Sequence, residues 1–505
     1  MADTTLNEFL TQGKSLAATA VVRKLFADSE TPMGLYRKLS GGTGSFLLES
    51  ADQAGKWSRY SFIGVTSHGV LTESDGVAVW DRLGMDHRDA FGGEVPTAPL
   101  DALEALTARW HTPHAEGLPP FAGGMVGYIG WDAVRELEKL PHPPESVHPV
   151  PRLSMALVKD LAVLDHHTSE VVLIALVHRI DLVTKEDYSE AVSRLDAMHE
   201  QLRKPTASTL SVRHDPEHFE VPSNMDTPAF CSMVERAKEH IRDGDVFQVV
   251  LSQRFDLEVS ADALEVYRVL RSLNPSPYMY LLESRGGDGV PFHVVGSSPE
   301  ALVTVRNDRV YSHPIAGSRP RGEDPDRDAE IAEELLADQK EQAEHLMLVD
   351  LARNDLSRVC RSGSVEVTEF MQIERFSHIM HLVSSVEGDL SDDASLVDVF
   401  RATFPAGTLS GAPKPRALEI IDDLEPHRRG VYGGVVGYFS HSGDADLAIA
   451  IRTVWMRDGV ATVQAGAGIV ADSVDESEYL ETLHKSAAPI RAVLAANALE
   501  ADQAH

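Results

Sequence analysis

Two cysteines, Cys231 and Cys360, are too few for a disulfide framework in a chain of 505 residues, so a reducing cytosol is the expected setting. Positive charge is scarce as well. Lys and Arg number 46 against 78 Asp and Glu, a formal charge of -32. That argues against a nucleic acid or an anionic membrane as partner, because both reward a basic face. No apolar run approaches the ~18 residues of a membrane span. The first residues, Met-Ala-Asp-Thr-Thr-Leu-Asn-Glu, lack the basic and apolar segments of a secretion signal. Gly466 and Gly468 form a Gly-x-Gly without the third glycine of a dinucleotide fingerprint, and there is no Gly-x-x-x-x-Gly-Lys-Ser/Thr loop. A Gly-x-Ser-x-Gly elbow is missing too, and neither cysteine sits in a glycine turn, so both read as structural.

What is present is a 43% hydrophobic chain, long enough for two to four average domains and a substantial core. Helical patterns occupy 30–39, 100–110, 188–202, 227–242, 262–272, 394–402 and 475–496, with one long helix expected from about 326 to 355. Strand patterns fall at 45–48, 60–63, 69–71, 121–130, 155–164, 170–180 and 244–255, with two more flanking 296–300. Strands often follow strands. The expected class is α+β: large antiparallel β-sheets packed as a sandwich with helices on the outside, in two intimately associated domains. The aperiodic, Pro- and Ser-containing stretch 203–226 marks the boundary, giving domains at 1–205 and 227–505 joined by a linker at 206–226.

From 404 to 468, glycine-rich turns alternate with short apolar runs, the pattern of a pocket in which backbone N–H groups hold a small anion. Arg452 lies between Ile451 and Thr453 in an apolar run, and its guanidinium needs an anion. A ligand carboxylate and a structural Asp or Glu both meet that need. Glu341 and Glu344 share a helix face, and Glu344 is in line with Leu348 and Leu351. Glu478, Glu481 and Lys485 repeat the device at i, i+3, i+7. Two such faces either are simply solvated or meet across a cavity as a hard-cation site suited to Mg²⁺. His378 and His381, three apart, are either packed core histidines or proton-transfer groups; zinc is not expected without a third ligand in register.

Five stretches together closely resemble the chorismate-utilising enzymes, and among them the large subunits of anthranilate synthases. They are Pro-Ile-Ala-Gly-Ser-Arg-Pro-Arg-Gly at 314–322, Glu-His-Leu-Met-Leu-Val-Asp-Leu-Ala-Arg-Asn-Asp-Leu-Ser-Arg at 344–358, His-Ile-Met-His at 378–381, Phe-Pro-Ala-Gly-Thr-Leu-Ser-Gly-Ala-Pro-Lys at 404–414 and Ala-Gly-Ala-Gly-Ile-Val at 465–470. The resemblance runs from about residue 16 to 493.

It implies a Mg²⁺ enzyme acting on chorismate, with Glu344 and Glu481 as inner metal ligands and Glu341 and Glu478 acting through water. Arg452, Tyr432, Thr408, Lys485 and the backbone of Gly466 and Gly468 would hold the enolpyruvyl carboxylate, with Gly317 and Ser318 also at the substrate. Glu300 would protonate the departing hydroxyl, and His381 would assist there and in the loss of pyruvate. Gln248 shares the catalytic cavity. It stands where isochorismate and salicylate synthases carry a water-activating lysine, and a neutral amide cannot deprotonate water. Ala316 stands where aminodeoxychorismate synthases often carry a lysine nucleophile. Both point to direct attack by ammonia, with the aminodeoxychorismate branch as the alternative. The resemblance also implies a separate glutamine amidotransferase subunit. It makes 1–205 a regulatory domain that binds L-tryptophan at Leu48, Glu49, Ser50 and the turn Asn274, Pro275, Ser276, Pro277, Tyr278, Met279. Three positions depart from the family pattern: Ser318 for threonine, Asp475 for proline and His484 for asparagine. Ser318 keeps the hydroxyl.

Overall fold

The computed structural model describes residues 2–51, 59–214, 220–375 and 379–501. Among them, twenty strands join through antiparallel ladders into one network, and a separate two-stranded ribbon pairs Ser211–Val212 with Glu500–Ala501. The network folds into two layers. The interior between them is built from strand side chains of both halves of the chain, including Val126, Val163 and Ile174 from the first and Tyr280, Phe292, Val294 and Trp455 from the second. Helices cover the outer faces. Pro99–Arg109, Thr227–Arg242, Leu396–Thr403 and Lys414–Leu424 bury their apolar stripes in one outer cluster. Lys185–Leu202, Ala263–Leu273 and Asp475–Asn497 do so in a second, and the rings of Phe230 and Tyr479, 5.8 Å apart, join the two. The α+β class, with large antiparallel sheet and outer helices, is as expected.

The two halves of the chain share ladders directly. Phe46–Glu49 pairs with Tyr278–Arg285, and Gly124–Ile129 pairs with Val435–Ser440. Among the described residues no helix is long and apolar enough to cross a membrane.

Two sequence expectations are corrected. The runs at 60–63 and 69–71 are one strand, Tyr60–Ser74, whose register against Leu153–Asp165 shifts three times between Gly64 and Gly69. Those bulges break the alternation by which a strand is read. The long helix expected over 326–355 is two, Pro325–Ala337 and Gln339–Leu356. Asp338 divides them by leaving helical geometry and accepting the N–H groups of Lys340 and Glu341, the usual behaviour of an Asp cap. Glu341 therefore opens a helix instead of lying inside one.

Candidate active site

Glu300 lies on the short connection between strands Pro291–Ser298 and Ala301–Arg306. Its N–H donates to the Ser298 hydroxyl at 3.3 Å and its carbonyl accepts the Ile449 N–H at 2.9 Å. The Thr408 hydroxyl donates to its carboxyl at 3.3 Å. Burial pushes this carboxyl up to about 7, outweighing the downward pull of Thr408, Lys485 and Arg452.

Arg452 follows the strand Ala445–Ile449 and has a left-handed backbone, φ 50°, uncommon for a residue with a side chain. Its carbonyl accepts the Ser297 N–H at 3.2 Å, fixing it to the strand that leads to Glu300. Burial lowers the guanidinium's pKa and the charge of Glu300 opposes this. No carboxylate of the described residues lies within ion-pair distance of it, so the structural-partner alternative finds no partner there.

His381 sits in the strand Ile379–Asp389, opposite Ser318 in the strand Ile315–Pro320. The Ser318 hydroxyl and His381 Nδ1 are 2.9 Å apart, so the serine keeps the hydrogen bond that a threonine could make. Burial, and to a smaller degree Arg452, hold His381 below its ordinary pKa, while a hydrogen bond with the Gly317 backbone opposes them. Gly317 forms a bulge with φ 59°, and a Cβ there would come within 3.1 Å of Glu341 Oε2. His378 lies outside the described residues.

The strand Val460–Ile469 pairs with Gln248–Glu258. A Cβ on Gly466 would stand 2.7 Å from the Tyr432 hydroxyl, and one on Gly468 would stand 2.7 Å from Gln248 Nε2. The two glycines thus make room for two polar side chains lying across the strand. Lys485 Nζ donates to the Gly466 carbonyl at 3.1 Å and pairs with Glu481 at 2.6 Å.

Glu341 and Glu344 are carried by Gln339–Leu356, and Glu478 and Glu481 by Asp475–Asn497. Burial raises the Glu344 pKa, and the charges of Glu341 and Glu481 raise it further. Glu478 is raised by burial and by Glu481. The carboxylates of both helices therefore act on one another, offset in part by Lys485 on Glu481 and by Arg319, 3.2 Å from Glu341. Among the described residues no three His, Cys, Asp or Glu side chains come close enough to enclose an ion. The donor set still fits Mg²⁺, because it is all hard oxygen, it repels itself without a cation, and its openness suits an ion that retains water.

A family model for chorismate binding enzymes matches residues 63–491. The chain is similar to anthranilate synthase component 1 of Arthrobacter globiformis, 51% identical over 98% of this chain and 93% of that one. The same protein of Mycolicibacterium smegmatis is 47% identical over 99% and 95%. Among solved structures, anthranilate synthase component I from Streptococcus pneumoniae is similar at 35% identity and a TM-score of 0.75, over 92% of this chain and 99% of that one.

The chain belongs to the chorismate-binding enzymes, in the anthranilate synthase component 1 family.

Leu48–Ser50 and 274–279 are the segments in which the sequence places an inhibitor site. In this chorismate-binding enzyme those segments are neighbours: Glu49 pairs with Met279 and Leu48 with Tyr280, and the Ala51 N–H donates to the Ser276 carbonyl at 3.1 Å. Glu49 is occupied by the Tyr267 hydroxyl and by Arg271 at 2.7 Å. The Tyr278 hydroxyl is drawn to Asp446 and Thr304. Pro275 and Pro277 shape the exposed turn around the buried Ser276. Ser50 differs: its hydroxyl is buried and has no hydrogen-bond partner among the described residues. Asn274 donates to the Ser297 hydroxyl at 2.9 Å, and Ser297 is the residue bonded to the Arg452 carbonyl.

A cavity of about 60 Å³ opens on Glu300 and Thr408, walled by Leu348, Leu351 and Ala406. A larger one, about 340 Å³, lies along the strand Ala18–Phe26 and the turn at His441, away from every candidate site residue. Sequence reading missed Arg319, the partner of Glu341, and the buried pair Glu425 and Arg429 behind Tyr432. Their i, i+4 spacing beside an apolar run was the available signal.

Proposed function

We propose that this chain converts chorismate and ammonia into anthranilate, pyruvate and water, with ammonia supplied from glutamine by a separate amidotransferase subunit. The observation that carries the reading is Glu300, a buried carboxyl with a pKa of about 7. It is protonated often enough at neutral pH to act as an acid, and hydroxide leaves poorly without one. As ammonia adds at C2 of the ring, Glu300 gives its proton to the hydroxyl leaving C4, and water departs. The carboxylate that results is stabilised by the charges of Arg452 and Lys485. His381, held neutral and oriented by Ser318, can then take the C2 proton, forming the aromatic ring, as the enolpyruvyl group leaves and is protonated on its methylene carbon to give pyruvate.

Arg452 is the partner proposed for the enolpyruvyl carboxylate, with Thr408, Tyr432, Lys485 and the backbone at Gly466 and Gly468 beside it. Glu344 and Glu481 would hold Mg²⁺, Glu341 and Glu478 acting through water, and the bound ion would supply positive charge to the ring carboxylate. Gln248 near Gly468 offers no base for water, which favours ammonia as nucleophile. L-tryptophan is the proposed inhibitor at Leu48, Glu49, Ser50 and 274–279, residues 1–205 its domain and 206–226 the link to the catalytic part. The test is incubation with chorismate, Mg²⁺ and ammonium sulfate. Fluorescent anthranilate is expected; turnover to another product, or none, defeats the reading.

A further inference from the structure

The buried ion pair behind the substrate pocket has contacts that a merely structural pair would not need. Arg429 and Glu425 are each 4% exposed. Their contact is bidentate, Nη2 to Oε1 at 2.6 Å and Nε to Oε2 at 2.9 Å. The remaining capacity of both goes to backbone that carries site residues. Arg429 Nη1 donates to the Leu409 carbonyl at 2.7 Å, one residue from Thr408. Its Nη2 donates to the Val250 carbonyl at 2.8 Å; Val250 is two residues from Gln248 and faces Gly468 across the ladder. Glu425 accepts both the N–H and the hydroxyl of Ser252 at 2.8 Å, and Ser252 faces Gly466. The guanidinium lies 4.2 Å from the Trp131 ring centroid and 5.6 Å from that of Tyr432.

Resting on the proposed chorismate reading, we infer that Glu425 and Arg429 are a positioning pair. Without touching substrate, they hold the Thr408 loop, the Gln248 strand, the Gly466–Gly468 segment and the Tyr432 ring in the one arrangement that grips the enolpyruvyl carboxylate. The energetics agree. A buried ion pair is about as stable as an apolar pair of its volume, so stability alone does not call for charge here. An apolar pair, however, could not bind two carbonyls and two donors on two different segments.

The test uses the volume-matched double variant Glu425→Leu/Arg429→Met alongside Arg429→Lys. The double variant leaves the Ser252 donors and the Leu409 and Val250 carbonyls without these partners, so it is expected to fold but to melt below wild type. Its KM for chorismate, with ammonium as nitrogen source, should rise roughly ten- to hundredfold while kcat falls less. Hydrogen exchange of amides at 407–410 and 465–468 should quicken, with the strand Leu153–Asp165 unchanged. Wild-type KM and wild-type protection in a folded double variant overturn the proposal. Should the double variant fail to fold, Arg429→Lys decides, since it keeps the charge and loses the fork: an unchanged KM and unchanged protection overturn the proposal equally. Should the wild-type chain make no anthranilate, the functional reading falls, and hydrogen exchange alone judges the positioning.

Discussion

Glu300 is an acid because of where it lies. Its folded pKa of about 7 stands above the ordinary 4.5, so between those values the folded chain binds a proton that the unfolded chain has released. Stability contributed by that proton is complete at low pH and is lost as pH rises through the window. Glu300→Gln should therefore gain roughly 1–3 kcal/mol over wild type at pH 8 and little at pH 4.5, measured by urea unfolding. The same variant should lose roughly 10²–10⁴ in turnover. An equal stability change at both pH values would show that the carboxyl is not raised. Arg452 makes the complementary case. With no ion pair among the described residues, Arg452→Met should leave the melting temperature unchanged or higher while kcat/KM for chorismate falls roughly 10- to 100-fold. A structural partner for the guanidinium would instead reveal itself as a loss of about 3–5 kcal/mol in stability.

At the scale of elements, the two acidic helices are held in a state that invites a cation. Glu344 and Glu478 are both raised by burial and by neighbouring carboxylates. Mg²⁺ should therefore raise the wild-type melting temperature, as any ligand of the folded state does. Glu344→Gln and Glu481→Gln should abolish that shift and raise the Mg²⁺ needed for half-maximal turnover roughly tenfold or more. A variant that keeps the full thermal shift removes its residue from the metal site. The strand Tyr278–Arg285 poses a different question. Its leading turn touches Ser297 through Asn274, and Ser297 holds the Arg452 backbone, so a ligand that moves the turn has a short route to the substrate arginine. Ser50→Arg, which fills the unpartnered hydroxyl's space, should abolish tryptophan inhibition and leave uninhibited turnover near wild type. Inhibition at unchanged tryptophan concentration would remove Ser50 from the inhibitor site.

At the scale of the whole molecule, neither thiol is tuned to release ammonia from glutamine. Burial pushes Cys360 up to about 11, and Cys231 is raised as well, whereas a glutaminase nucleophile needs a depressed thiol. Ammonium salts should support anthranilate formation by the isolated chain and glutamine should not; turnover with glutamine alone would refute the need for a partner. The global charge of -32 opposes an anionic substrate, so attraction has to be local. Arg452 and Lys485, gathered from distant parts of the chain around Glu300, are the groups proposed to provide it.

Much of this was legible in one dimension, for a physical reason. Glycines at 466 and 468, an arginine in an apolar run and carboxylates at i, i+3 are costly choices, and local chemistry marks them wherever they fall. Residue type and spacing alone marked several helices, some of the strands and the motifs of the family. Tertiary structure decided what depends on neighbours remote in sequence. Asp338 split a helix that periodicity joined. Glu49, eligible as a ligand contact, proved to be spent on Tyr267 and Arg271. Arg452 could have met a structural carboxylate and met none among the described residues. Glu300 acquired its pKa from burial, which no local spacing encodes, and Glu425 and Arg429 acquired their roles from the Leu409 loop and the 250–252 strand, remote from them in sequence.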